Sequence, residues 1–155
     1  MKACFRIAWP RALACALAFA PLPAYAAALF VVTEPWVRLA PSARSAEAYM
    51  ELLSTDGAKL VGVRSEATAS IVMRRPGTNR AAAAEIPLPA HTTVKLAPGA
   101  YRFALADLNR GLKRGDRIGL VLTIEAVDGS RQEIPVSAEV RRRSPTDDHL
   151  HPHKH

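Results

Sequence analysis

The stretch that sets the fold class runs Val94-Lys95-Leu96-Ala97-Pro98-Gly99-Ala100-Tyr101-Arg102-Phe103-Ala104-Leu105-Ala106-Asp107-Leu108. It continues, after a short break, as Leu112-Lys113-Arg114-Gly115-Asp116-Arg117-Ile118-Gly119-Leu120-Val121-Leu122. Pro98-Gly99 marks a turn, because Pro sets φ for one corner and Gly permits positive φ at the next. After it, Tyr101, Phe103 and Leu105 alternate with Arg102, Ala104 and Ala106, the period-two pattern of a half-buried strand. Leu108 to Gly115 is too short and too Gly-rich for a stable helix and reads as a crossing loop. Ile118 to Ile124 gives a second, more apolar strand. This pair is expected at the centre of the fold, and the face carrying Arg102 and Ala104 decides what the protein can bind.

Outward from that centre, Phe30 to Leu39 reads as a strand, with Pro35 marking an edge or a bulge. Pro41 to Ser45 is a loop, and Ala46 to Leu53 is a strand containing Tyr49 and Met50. Thr55-Asp56-Gly57 reads as a hairpin turn into Leu60 to Val63, and Thr68 to Met73 as a further short strand. Arg74 to Ala84 is the least regular segment, since the four alanines Ala81 to Ala84 alone do not nucleate a helix. Ile86-Pro87-Leu88-Pro89 is held extended by its prolines. Asp128-Gly129 predicts a hairpin into Gln132 to Val140. Seven to nine short strands, regular turns and no convincing helix predict an all-β chain, a single antiparallel β-sandwich or Greek-key barrel.

The ends read differently. Lys2, Arg6 and Arg11 form a basic leader, Ala12 to Leu22 an apolar run, and Ala24-Tyr25-Ala26 a small-x-small cleavage site; residues 1–26 are therefore expected to be a cleaved signal peptide, placing the protein in the periplasm. The apolar run is shorter than the roughly 20 residues that span a bilayer, so no membrane span is expected after cleavage. It also continues past Cys15, which argues against a lipoprotein reading. Both cysteines, Cys4 and Cys15, lie in the leader, so residues 27–142 form a domain without a disulfide, a thiolate ligand or a nucleophilic Cys. The formal charge of the whole chain is +7, and without Lys2, Arg6 and Arg11 it is +4. The cations are scattered except at Arg74-Arg75 and Arg141-Arg142-Arg143, few aromatics lie among them, and no nucleic-acid partner is expected.

Residues 143–155, Arg-Ser-Pro-Thr-Asp-Asp-His-Leu-His-Pro-His-Lys-His, form a polar tail expected to be disordered. His149, His151, His153 and His155 alternate strictly, after Asp147 and Asp148. Alternate side chains of an extended chain share one side, roughly 6.5–7 Å apart, so a small bend gathers several imidazoles on one metal. Neutral imidazole binds Cu(II), Ni(II) and Zn(II), with Cu(II) favoured by the usual affinity order. These four histidines are the candidate metal ligands; a solvated tail with no selected role is the other reading.

Several segments in order are similar to the periplasmic PCu(A)C copper chaperones, a cupredoxin-like family. They are Val32-Thr33-Glu34-Pro35-Trp36-Val37-Arg38, Ala48-Tyr49-Met50, Asp56 to Val63, Ile86-Pro87-Leu88-Pro89-Ala90, Leu96-Ala97-Pro98-Gly99-Ala100-Tyr101 and Leu112-Lys113-Arg114-Gly115-Asp116. The resemblance implies a cupredoxin-like β-sandwich, copper as cargo and a copper-accepting envelope protein as partner. It also implies a Cu(I) site of two His and two Met, soft donors suited to Cu(I). In this chain the terminal His-x-Met of that pattern falls on Arg102 and Ala104, the first Met on Arg80, and the first His on Val72. Val and Ala offer no donor, and Arg has no lone pair to give. The core copper site is thus expected to be lost, with Met50 and Met73 as core fillers, Trp36, Tyr49 and Tyr101 as packing aromatics, and His91 a solvated turn residue. Two functions follow: metal capture by the tail, or a non-metal interaction module using a basic patch around Arg80 and Arg102. Catalysis is not expected, because the chain past the leader has no Cys and no carboxylate pair or nucleophile–His pair set in a motif.

Overall fold

The computed structural model describes residues 29–41, 44–77 and 82–142; the leader, Arg80 and the four tail histidines lie outside them. Nine strands follow in order: β1 (Phe30–Leu39), β2 (Ala46–Ser54), β3 (Ala58–Arg64), β4 (Ser70–Arg74), β5 (Ile86–Leu88), β6 (Thr92–Leu96), β7 (Arg102–Ala106), β8 (Arg117–Ala126) and β9 (Arg131–Val140). No helix forms among the described residues. The strands make one sheet in the order β4-β7-β2-β1-β9-β8-β3-β5, with β6 also on β2. The sheet curls, so that β5 at its far end reaches β2 and β6, and β3 reaches β4.

The expected fold class holds, with one departure. All pairings between the nine strands are antiparallel except β1 with β9, where Trp36 lies beside Glu139 and Val37 beside Val140. A hydrogen bond from Arg141 N to Val37 O at 2.8 Å extends this parallel seam, and one from Gly115 N to Val140 O at 2.9 Å ties the loop before β8 to the end of β9. The seam joins the two halves of the sheet. It needs residues from opposite ends of the chain, which no local pattern announces.

Local chemistry explains the elements that were predicted. Pro35 has no N–H to give a ladder, and β1 is bulged between Thr33 and Trp36, with Glu34 at φ 49°. Asp128-Gly129 closes the β8–β9 hairpin: Gly129 takes φ 82°, and Asp128 Oδ1 accepts from Ser130 N at 2.9 Å and Ser130 Oγ at 2.6 Å. One expectation fails: Thr55–Gly57 is not a hairpin turn, because β2 and β3 do not pair; it carries the chain between the two halves. The segment Leu108 to Gly115 does cross over, since β7 lies between β4 and β2 while β8 lies between β9 and β3.

Pro98-Gly99 has an unexpected role. Leu96 in β6 faces Met50, and Phe103 in β7 faces Ala48, so both strands run along the same neighbour, β2. The turn loops out of what would otherwise be one long strand. Its hydrogen bonds, Ala100 N to Ala97 O at 2.9 Å and Ala97 N to Tyr101 O at 3.0 Å, hold that excursion closed.

The core lies inside the curl. Met50, Leu52, Leu60, Phe103, Leu105 and Leu122 are among its fully buried side chains. Met50 and Met73 both belong to this cluster, as expected of core fillers. Replacing either by Leu is expected to cost less than about 1.5 kcal/mol, because the volume is nearly conserved, and to leave copper binding unchanged. Thermal melts and a copper titration of M50L and M73L check this.

Candidate functional site: the outer face of β4, β7, β2 and β1

Register places a row of side chains on one face of four adjacent strands. Val72 of β4 lies opposite Ala104 of β7, Ala104 opposite Glu47 of β2, and Glu47 opposite Arg38 of β1. One pleat away, Arg74 lies opposite Arg102, and Tyr49 opposite Trp36. Side chains two apart along a strand share a face, so these eight residues line one surface. Val72, Arg102 and Ala104 are the positions where the resemblance puts copper ligands.

Arg102 is the anomaly. An outward-facing arginine is ordinarily exposed, yet Arg102 is only 5% exposed. Its Nε donates to Glu47 Oε1 at 3.1 Å and an Nη to Ala100 O at 3.4 Å. The other Glu47 oxygen accepts from Arg38 Nη2 at 2.6 Å and from the Tyr49 hydroxyl. Arg38 Nη2 also donates to the Tyr49 oxygen at 2.8 Å, and its guanidinium carbon sits 5.4 Å from the centre of the Tyr49 ring, a cation–π contact. Trp36 completes the group, its ring 4.6 Å from that of Tyr49 and tilted by 37°. One carboxylate thus serves two arginines and a phenol.

The charges reinforce one another. Burial alone would push the Glu47 carboxyl up, but hydrogen bonds from Tyr49 and Arg38 and the positive charges of Arg38 and Arg102 outweigh it, holding it below its ordinary 4.5. Burial and the bond to Glu47 push the Tyr49 phenol up, so it stays a donor at every physiological pH. The Glu47 bond raises Arg38 further, against a smaller loss from burial. Among the described residues no buried side-chain nitrogen or oxygen lacks a partner.

This face offers no soft donor set. Val72 and Ala104 carry no lone pair and the Arg102 guanidinium is committed to Glu47. Met50 and Met73 point into the core. No cluster of three or more His, Cys, Asp or Glu suited to a metal occurs among the described residues. His91 is exposed in the β5–β6 turn at φ 54°, its backbone N–H donating to Ser54 O at 2.8 Å. The interaction-patch reading needs correction on Arg102, which burial and the Glu47 ion pair remove from the surface; its other member, Arg80, lies outside the described residues.

Sequence reasoning missed Glu47 and Arg38 entirely and took Tyr49 for a packing aromatic. A faint signal existed: Trp36-x-Arg38 and Glu47-x-Tyr49 each put an aromatic and an opposite charge on the same side of a strand. Only the register shows that these two pairs face each other.

The fold defines a class: cupredoxin-like β-barrel domains of the PCuAC type. The chain is 28% identical to the structure described as the apo PCuAC domain from PmoF1, with a TM-score of 0.63, covering 74% of this chain and 94% of that one. It is 28% identical, with a TM-score of 0.55, to the solution structure of Cu(I)-DR1885 from Deinococcus radiodurans, covering 77% and 83% of the two chains. The copper-bound PCuAC domain from PmoF2 shares the fold at 23% identity and a TM-score of 0.57, covering 72% and 93%. No curated protein matches the chain. The protein belongs to the LpqE-like family, described as "Putative lipoprotein LpqE-like", whose profile matches residues 30–140.

Proposed function

We propose that this protein is an exported copper-handling chaperone of the PCuAC type that captures copper through its C-terminal histidines. On this reading residues 1–26 are a cleaved signal peptide, residues 27–142 are the β domain, and residues 143–155 are the capturing tail. The protein works in the periplasm, catalyses no reaction and passes copper to an acceptor protein of the cell envelope. Similarity to copper-bound domains supports copper as the cargo, and the lipoprotein family supports export.

One observation carries the proposal: at the positions where the resemblance expects soft ligands stand Val72, Arg102 and Ala104, with Arg102 locked to Glu47. A cation approaching this face meets two guanidinium groups around a single carboxylate. Copper capture is therefore assigned to His149, His151, His153 and His155, whose neutral imidazoles suit Cu(II).

The test is a Cu(II) titration of the full chain and of a chain ending at Arg143, followed by calorimetry and by d–d absorption. Tight binding by the full chain and none by the shortened one is expected. Binding should also fade as pH drops through the ordinary imidazole range near about 6.5, because protonated His cannot ligate. Equal binding in both chains would refute tail capture, and a competition with Zn(II) and Ni(II) fixes the order of metals.

A further inference from the structure

A second surface, sharing only Arg38 with the Glu47 network, has its own chemistry. The ends of β1 and β9 meet at the parallel seam, and the loop carrying Arg114 closes against them. Together Arg38, Leu39, Arg114, Val140, Arg141 and Arg142 line a cleft of about 440 Å³. The backbone around it is fixed: besides the seam bonds already described, Val140 N donates to Asp116 O at 2.8 Å, and Asp116 Oδ2 accepts from Lys113 N at 2.9 Å. The floor is apolar, from Leu39 and Val140, and the rim is made of guanidinium groups.

The four arginines are not equally engaged. Arg38 is paired with Glu47 and Arg141 with Glu139, at 2.6 and 2.9 Å. Arg114 and Arg142 are exposed, and neither has a carboxylate partner among the described residues. The cleft therefore carries two uncompensated positive charges on a rigid frame. The larger cleft over Gly119 and Val121, about 710 Å³, also holds Arg64, Arg110 and Arg117 but is less polarised, because Arg64 is paired with Glu133 at 2.7 Å, Arg110 lies 3.9 Å from Asp116, and Glu66 is in the lining.

We infer that the cleft between the ends of β1 and β9 is a binding site for a phosphate group, gripped by Arg114 and Arg142 within the field of Arg38 and Arg141. Guanidinium presents a planar fork that matches phosphate oxygens two at a time, which a lysine ammonium cannot do. The apolar floor accepts the carbon atoms that flank a phosphodiester. Such a group comes either from the headgroup of an anionic lipid or from a soluble phosphate.

Two probes separate these sources: co-sedimentation with phosphatidylglycerol vesicles against phosphatidylcholine vesicles, and titration with inorganic pyrophosphate followed by the Arg Nε–H resonances. At least one probe is expected to bind the purified protein at low salt and to weaken as ionic strength rises. The double variant R114A/R142A should weaken that binding about tenfold or more, as loss of charge-assisted hydrogen bonds requires. R114K/R142K should weaken it too, and R131A, at the opposite end of the β8–β9 hairpin, should leave it unchanged. Both cleft positions are exposed, so unchanged thermal melts will confirm that the variants fold. Absence of binding by both probes overturns the site. So does a double alanine variant that binds like the wild type, or a lysine variant or R131A that shows only a general charge effect. None of these results depends on copper, so the site stands or falls apart from the chaperone reading.

Discussion

Changing Glu47 to Ala is expected to lower the unfolding free energy by about 3 kcal/mol, the low end of what breaking a buried ion pair costs. The low end applies because the two partners differ in exposure: the Arg102 side chain is 6% exposed and that of Glu47 is 32% exposed. Removing the carboxylate takes Glu47 away from the buried Arg102 guanidinium, while its 3.4 Å bond to Ala100 O stays. Removing the arginine instead should cost less, because Glu47 keeps Arg38 and Tyr49. Urea unfolding of E47A and R102M measures this asymmetry, and equal costs would mean the network does not work as described.

The same carboxylate sets an acid limb. A group whose folded value lies below its unfolded value contributes stability above the unfolded value and loses it as pH falls through the folded one. For Glu47, held below 4.5, the contribution is intact at neutral pH and drains away in the acid range beneath that value. E47Q should therefore be less stable than the wild type at pH 7, with the gap narrowing as the pH falls through the acid range beneath 4.5. A gap that stays constant with pH would show that the charge is not what matters.

Changing Phe103 to Ala is expected to cost about 3–5 kcal/mol. Phe103 is fully buried where β7 meets both β4 and β2, facing Met73 on one side and Ala48 on the other. Neither neighbour can move in without breaking its own ladder, so most of the cavity stays. The adjacent substitution A104S, on the outer face, should fall within about 0.5 kcal/mol. The contrast between neighbouring positions tests the inside–outside assignment of β7 on which the face opposite the core depends.

Much of the architecture was legible because it is local. Alternation placed Phe103 and Leu105 inward, Pro35 marked the bulge in β1, and Asp128-Gly129 marked the β8–β9 hairpin. Each rests on the chemistry of a few consecutive residues. The misread hairpin has a physical cause: Gly57 does divert the chain, but what a turn connects depends on which strands lie beside it. A turn residue carries no record of its partner strand.

Residue identity alone determined that this is an all-β chain and that Val72, Arg102 and Ala104 cannot supply a soft ligand set, since a side chain's donors are a property of its own atoms. Tertiary structure alone decided that Arg102 is buried, that one carboxylate from β2 satisfies arginines of β1 and β7, and that Arg38, Arg114 and the adjacent pair Arg141–Arg142 share one cleft. Those outcomes depend on register and on the parallel β1–β9 seam, which bring together groups up to a hundred residues apart, and a charge takes its burial, partner and proton affinity from whatever surrounds it.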